Sequence, residues 1–277
     1  MTFLVAVVLF TSSALLYSNF YVKTVDYRFE EASVADEVRI VFLSDLHGRS
    51  FGKDNRRLLN AIRKAEPHLI CLVGDFFDTT LSDEQIASMY DFCRDCTEIC
   101  DTYFSLGNHE ILFMEKYGEI REKLLACGVP LLEETYLDLT VNNQKLRLGG
   151  MSKYAFAMSG RSEEWFASDT YAFLKDFTSE KTIPTILMCH RPECFFLNNS
   201  KHDWEISYLL CGHTHGGLWR LPFVGGLLAP EQLWFPEYYY GHYDYGNLQM
   251  LITAGFKGYQ FVPRLFNPCE IAVLHLT

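Results

Sequence analysis

Five short apolar runs recur along the chain, each ending in polar residues: VRIVFLSD at 38–45, HLICLVGD at 68–75, TYFSLGNH at 102–109, TILMCH at 185–190 and YLLCGHTH at 208–215. Near-continuous apolar runs of this length predict strands covered on both faces, because a strand with one wet face would alternate. Between the runs the spacing turns helical. Leu58, Leu59, Ile62 and Ala65 form one apolar stripe in KDNRRLLNAIRKAE, and Pro67 stops it. Residues 83–98, 113–127 and 163–177 carry the same spacing, the second closed by Cys127-Gly128. Residues 146–150 and the closing EIAVLHL read as further strands. Strands alternating with helices imply an α/β layered domain, with two packed sheets between helical layers.

Residues 3–22, FLVAVVLFTSSALLYSNFYV, carry no charge. A bilayer takes roughly 20 apolar residues to cross, so the segment reads as a membrane anchor. It lacks the basic n-region and the cleavage motif of a secretory signal. Lys23 and Arg28 follow closely, and positive flanks tend to stay inside, which leans toward a cytoplasmic catalytic domain. The expected division is an anchor helix over 1–23 and one sizeable domain over 24–277.

Composition narrows the partners. With 35 acidic residues against 24 Lys and Arg, the net charge of −11 argues against nucleic acid, which selects a basic face, and leaves divalent cations as the expected charged partners. Nine cysteines, mostly inside apolar runs (Cys71, Cys127, Cys189, Cys211, Cys269), read as reduced and buried. Cys93, Cys96 and Cys100 fall on one helical face with no fourth ligand at zinc spacing, so a packed core face is expected rather than thiolate ligation.

Each apolar run ends in a metal-capable side chain: Asp45 and His47; Asp75; Asn108 and His109; His190; His213 and His215. Ligands of α/β sheets collect outside the carboxyl ends of strands, so these residues, distant in sequence, are expected to converge. Gly48, Gly74, Gly107, Gly212, Gly216 and Gly217 accompany them, suited to sharp turns. The other histidines, His68, His202, His242 and His275, have no partner at useful spacing and are read as structural. Serine-hydrolase elbows and P-loops are absent from the sequence.

SDLHG, GDFFD, GNHE, CHRPE and CGHTHGG, in that order, closely resemble the five motif blocks of calcineurin-like metallophosphoesterases. The run from HRP to GHTHGG resembles their membrane-associated bacterial branch. The resemblance spans roughly residues 38–277 and implies a four-layer sandwich, two packed mixed β-sheets flanked by helices. It implies one metal held by Asp45, His47, Asp75 and His215, and a second held by Asp75, Asn108, His190 and His213, with Asp75 bridging. His109 would stand close to the substrate phosphate, neutralising its oxygens or protonating the leaving group.

The cofactor expectation is two divalent ions, Mn²⁺, Fe or Zn²⁺, which suit mixed Asp, Asn and His ligands. Such a pair clamps the attacking and leaving oxygens of an in-line displacement and activates water near neutral pH. Plus 4 from two such ions and minus 3 from Asp45, Asp75 and a hydroxide leave plus 1, so even an acidic protein attracts a phosphate.

Asp78 is weighed between orienting a ligating histidine and capping a helix, and Glu110 reads as a first-turn acid. Leu218 and the turn TAGFKG at 253–258 depart from the family pattern on the substrate side. The aromatic stretch 221–243 reads as a wall for a lipid-bearing substrate or an interfacial belt on the bilayer, or else as a partly buried loop packed on the sheet edge. The implied function is hydrolysis of a phosphodiester, phosphomonoester or pyrophosphate bond, on a lipid-linked or nucleotide-sugar substrate such as UDP-2,3-diacylglucosamine. The alternative is a catalytically silent, metal-binding membrane scaffold.

Overall fold

A computed structural model describes residues 2–151, 168–179, 182–196, 202–258 and 262–277. In chain order the strands are β1 (Val22–Phe29), β2 (Val38–Leu43), β3 (Leu69–Val73), β4 (Thr102–Ser105), β5 (Leu131–Leu132), β6 (Thr135–Val141), β7 (Gln144–Gly150), β8 (Thr185–Met188) and β9 (Ile206–Cys211). Four two-residue strands follow, β10 (Arg220–Leu221), β11 (Gly225–Gly226), β12 (Leu228–Ala229) and β13 (Leu233–Trp234), then β14 (Gly241–Asp244), β15 (Leu248–Ile252) and β16 (Cys269–Leu276). The helices are α1 (Thr2–Phe20), α2 (Arg56–Lys64), α3 (Asp83–Thr97), α4 (Asn108–Tyr117), α5 (Arg121–Ala126), α6 (Asp169–Phe177) and α7 (Glu193–Phe196).

One sheet runs β1-β16-β2-β3-β4-β5 and the other β14-β15-β9-β8-β7-β6. The five apolar runs are β2, β3, β4, β8 and β9, central strands paired in parallel, as burial on both faces demands. Antiparallel neighbours make both sheets mixed. In β2, Ile40 and Phe42 face the second sheet, packing with Leu148, Ile186 and Leu210. Val41 and Leu43 face the opposite way, against Leu58 and Ile62 of α2 and Phe92 of α3. Leu187 and Leu209 of the second sheet pack on Phe173, Leu174 and Phe177 of α6. Three cores therefore separate four layers: helices, sheet, sheet, helices.

Cys93 and Cys96 lie in the helix-facing core at 0% exposure, and all nine cysteines are free. The helix expected over 113–127 is two helices, α4 and α5, broken at Gly118, whose φ of 82° no helix tolerates. α4 begins earlier than expected because Gly107 caps it, so Asn108 and His109 occupy its first turn, not an extended segment. Consecutive helical positions diverge by about 100°, which still points the two side chains apart. The start of the helix expected over 163–177 lies outside the described residues.

The N-terminal expectation needs correction. α1 ends at Phe20, and Val22 and Lys23, counted with the anchor, open β1, which pairs with β16 from Val22 opposite Cys269 to Phe29 opposite Leu276. Among the described residues no helix is long and apolar enough to cross a membrane. The last turn of α1 packs on the domain: Ser18 is fully buried, and Asn19 Nδ2 donates to the Arg264 carbonyl at 2.9 Å while its Oδ1 accepts from Arg264 N at 3.2 Å. That turn belongs to the domain. Earlier in α1, Leu4, Leu9 and Phe10 are more than 60% exposed.

The stretch 221–243 divides between the two readings given to it. Phe223, Leu233, Trp234 and Phe235 are exposed on two short hairpins, whereas Tyr238, Tyr239 and Tyr240 are half-buried.

Candidate metal centre

The ends of β2, β3 and β4 in one sheet and of β8 and β9 in the other deliver their polar residues to one place. Ligand atoms of Asp45, His47 and His215 lie within 4.8 Å of one another, as do those of Asp75, His190 and His213, and those of His47, Asp75 and His109. Asp75 stands in the middle, its Oδ2 3.6 Å from His47 Nε2 and 3.0 Å from His190 Nε2. Asp45 Oδ1 is 3.8 Å from His190 Nε2 and 3.9 Å from His215 Nδ1. Asn108 joins at the head of α4, where the neighbouring His109 N–H donates to Asp75 Oδ1 at 2.9 Å. The His109 ring packs edge-on against His47 at 4.7 Å.

The backbone is forced into this arrangement. Asp45 (φ 57°), His47 (45°), Asp75 (60°), His213 (69°) and His215 (49°) all adopt the left-handed region, uncommon outside glycine. Such strain persists only where the surroundings impose it, and it marks functional positions. His47 N donates to the Asp75 carbonyl at 2.9 Å, and Gly212 N to the His190 carbonyl at 2.9 Å, so each turn braces another. Gly74, at φ 71°, lies so near the Gly107 backbone that any Cβ would collide with it.

Carboxylates hold the turns and rings in place. Glu110, at 0% exposure, accepts four backbone N–H groups, from Asp75 (2.8 Å), Phe76 (2.8 Å), Phe77 (3.0 Å) and Gly107 (2.9 Å). It is thus more than a first-turn acid. Burial and the adjacent Asp75 raise its carboxyl to about 7 against the pull of those donors. Asp78 Oδ2 lies 3.1 Å from His47 Nδ1, and α3 is capped by Ser82 instead, so of the two roles weighed for Asp78 the structure shows the contact with histidine.

The outer nitrogens of two further rings are also engaged. His190 Nδ1 contacts the Val73 carbonyl at 2.7 Å, and His213 Nε2 contacts Glu231 Oε2 at 2.5 Å. Such partners fix the orientation of a ring and leave its other nitrogen for the pocket.

The electrostatics suit a cation. Burial opposes charge on His190, yet Asp75 and Asp45 raise its pKa to about 10, the mark of a negative field where the two carboxylates converge. Burial lowers His215 to about 3, keeping it neutral as ligation requires. Four buried atoms from three motif blocks, Asp45 Oδ1, His47 Nε2, Asn108 Oδ1 and His190 Nε2, make no hydrogen bond within the protein. Buried polar atoms are nearly always paired, so four such atoms in one cluster form a cradle that divalent ions fit.

The sequence profile of the calcineurin-like phosphoesterases matches residues 38–217. The chain belongs to that family. Among its relatives, the Campylobacter jejuni metallophosphoesterase Cj0846 is 30% identical over 92% of this chain, which spans 63% of that longer protein. The Escherichia coli phosphodiesterase YaeI is 27% identical over 86% of this chain and 82% of its own length. The Bacillus subtilis metallophosphoesterase YkuE is 24% identical, over 87% and 79% respectively.

Some side chains at this metallophosphoesterase centre carried no signal in the sequence. Glu231 follows His213 by 18 positions inside an aromatic loop, with nothing local to mark it. Arg191, which pairs with Glu231, stood in view within CHRPE. Lys257 Nζ lies 3.1 Å from Asp78 Oδ2, and the departure of TAGFKG from the family pattern was its only pointer.

Proposed function

We propose that this chain is a binuclear metal-dependent phosphoesterase that hydrolyses a phosphodiester, phosphomonoester or pyrophosphate bond. The observation that carries the reading is the group of four buried, hydrogen-bond-free atoms gathered from three separate motif blocks. Asp45, His47, Asp75 and His215 would hold one divalent cation, and Asp75, Asn108, His190 and His213 the other. When bound, the cations supply Lewis acidity at the phosphate and water that ionises near neutral pH.

The chain's own residues do the remaining work. Asp75, fixed by the His109 N–H and by the turn that Glu110 grips, sets the spacing of the two halves. His109, half-buried at the rim, faces the phosphate side and can give a proton to the leaving oxygen.

The test uses the full chain with Mn²⁺ on p-nitrophenyl phosphate and bis-p-nitrophenyl phosphate. Turnover that disappears on chelation and with Asp75→Ala supports the enzyme. Metal uptake without turnover on any ester supports the silent scaffold. His109→Ala is expected to keep metal and lose about 10²- to 10⁴-fold in rate, most for poor leaving groups.

The exposed apolar side chains of α1 support a further proposal, that the protein rests against a membrane on its cytoplasmic side. Exposed Phe223, Trp234 and Phe235 make a lipid-linked substrate such as UDP-2,3-diacylglucosamine the specific candidate to assay. Retention of Leu9→Asp and Phe10→Asp variants on lipid vesicles, equal to that of the parent, would defeat the membrane proposal.

A further inference from the structure

Two histidines of the centre are held by the same three-part device. On the first sheet, His47 Nδ1 meets Asp78 Oδ2 at 3.1 Å, and the same oxygen accepts from Lys257 Nζ at 3.1 Å. On the second, His213 Nε2 meets Glu231 Oε2 at 2.5 Å, and Glu231 Oε1 pairs with Arg191. The chain order differs completely: the first set comes from positions 47, 78 and 257, the second from 213, 231 and 191. The two sets are thus separate constructions that share a logic of imidazole, carboxylate and cation.

We infer that Lys257 and Arg191 are positioning residues that neutralise the carboxylates behind His47 and His213, and so set both the cation affinity of the centre and its attraction for an anionic substrate. This inference rests on the binuclear reading given above. A carboxylate behind a metal-bound imidazole strengthens the ligand, but it also adds a negative charge. With plus 1 expected at the loaded centre, two uncompensated carboxylates would take the local sum to minus 1 and repel a phosphate. Lys257 and Arg191 cancel them one for one.

Both cations stand at the pocket rim, Lys257 with 32% and Arg191 with 18% of its side chain exposed. Their charge is therefore felt by both the buried ligands and an arriving anion. The Lys257 backbone N–H also donates to the Asp45 carbonyl at 3.1 Å, which fixes the lysine's root to a ligand-bearing turn. Glu193, 1% exposed, shares the second corner with His213 and Glu231.

The two members of each pair act in opposite directions, which a packing role would not produce. Removing a carboxylate loosens the ring; removing its cation leaves the ring held and the field at the metal more negative. Chelator-treated full-length protein is titrated with Mn²⁺ in a calorimeter, and p-nitrophenyl phosphate hydrolysis is followed in parallel.

Asp78→Asn and Glu231→Gln are expected to weaken Mn²⁺ binding about 10- to 100-fold. Lys257→Met and Arg191→Met are expected to tighten it about 3- to 10-fold while raising KM for p-nitrophenyl phosphate by a similar factor. Lys257→Arg, which keeps the charge, returns both values to those of the parent. Cation variants that weaken Mn²⁺ binding, or that raise KM with Mn²⁺ affinity unmoved, overturn the inference, the second by showing direct substrate contact. If the parent protein binds no Mn²⁺ and hydrolyses nothing, the binuclear reading itself fails.

Discussion

The two halves of the centre are built to different standards. The β2–β4 half is clamped from inside: Glu110 at 0% exposure and Asp78 at 2% leave the Asp75 turn and the His47 ring little freedom. The β8–β9 half reaches outward, since Glu231, which holds His213, has 40% of its side chain exposed and sits on a loop beside exposed Leu233 and Trp234. Its GHTHGG turn is tied from behind, where Asn267 Nδ2 donates to the His215 carbonyl at 2.7 Å and to that of Leu218 at 3.1 Å. Asn267 N in turn donates to Ser18 Oγ of α1 at 3.2 Å, and on the other half Arg49, two residues past His47, donates through Nη2 to the Asn19 carbonyl at 2.5 Å, so both halves are tied to the N-terminal helix. One half is a frame; the other reaches toward solvent.

The largest expected effect tests the frame. Glu110→Gln replaces a four-fold acceptor by one oxygen and a competing NH₂ group, and is expected to cost about 2–4 kcal/mol in urea denaturation. Fast hydrogen exchange at the Asp75, Phe76 and Phe77 amides would accompany it; unchanged exchange there would break the comparison.

Asn267→Ala, which removes one hydrogen bond from each of two carbonyls of the other half and the side-chain acceptor of the buried Arg264 Nη2, is expected to cost about 1–3 kcal/mol. Glu231→Gln is expected to cost under about 1 kcal/mol, because a part-exposed pair is solvated. If its cost matches that of Glu110→Gln, the two halves are equally rigid and the contrast is lost.

The smallest effect lies outside both halves and serves as the baseline. The hydrogen bond from His275 lowers the Glu37 carboxyl, with Arg39 and Arg28 beside it and Asp26 on the far side of the ring. A depressed folded value means the stabilisation is present above the unfolded value of about 4.3 and is lost as pH falls through the folded one. Glu37→Gln is therefore expected to lower Tm by about 1–2 °C at pH 7, with the difference fading below about pH 4. A difference that grows in acid would contradict the sign.

Much of this was legible beforehand where a residue's role is local. The apolar runs gave β2, β3, β4, β8 and β9 because strands buried on both faces cannot alternate. β1 was hidden because VKTVDYRF, half-exposed at a sheet edge, adjoins an apolar stretch that read as part of an anchor. β10–β13 were hidden because two-residue strands have no periodicity. The motif residues were named from strand-end position and resemblance, and the structure gathers them. Glu110 showed its place in a first turn but not its four amide partners, three of which belong to a different strand's turn.

What the sequence settled by itself is the set of side chains with metal-binding chemistry and the strands that end in them, since hydrophobic burial and residue type are properties of single positions and their near neighbours. Only the tertiary structure decided which groups stand behind them. Lys257 meets Asp78 across 179 positions and Asn267 meets His215 across 52, and no local pattern encodes such contacts, because they exist only once two sheets pack and bring their strand ends together.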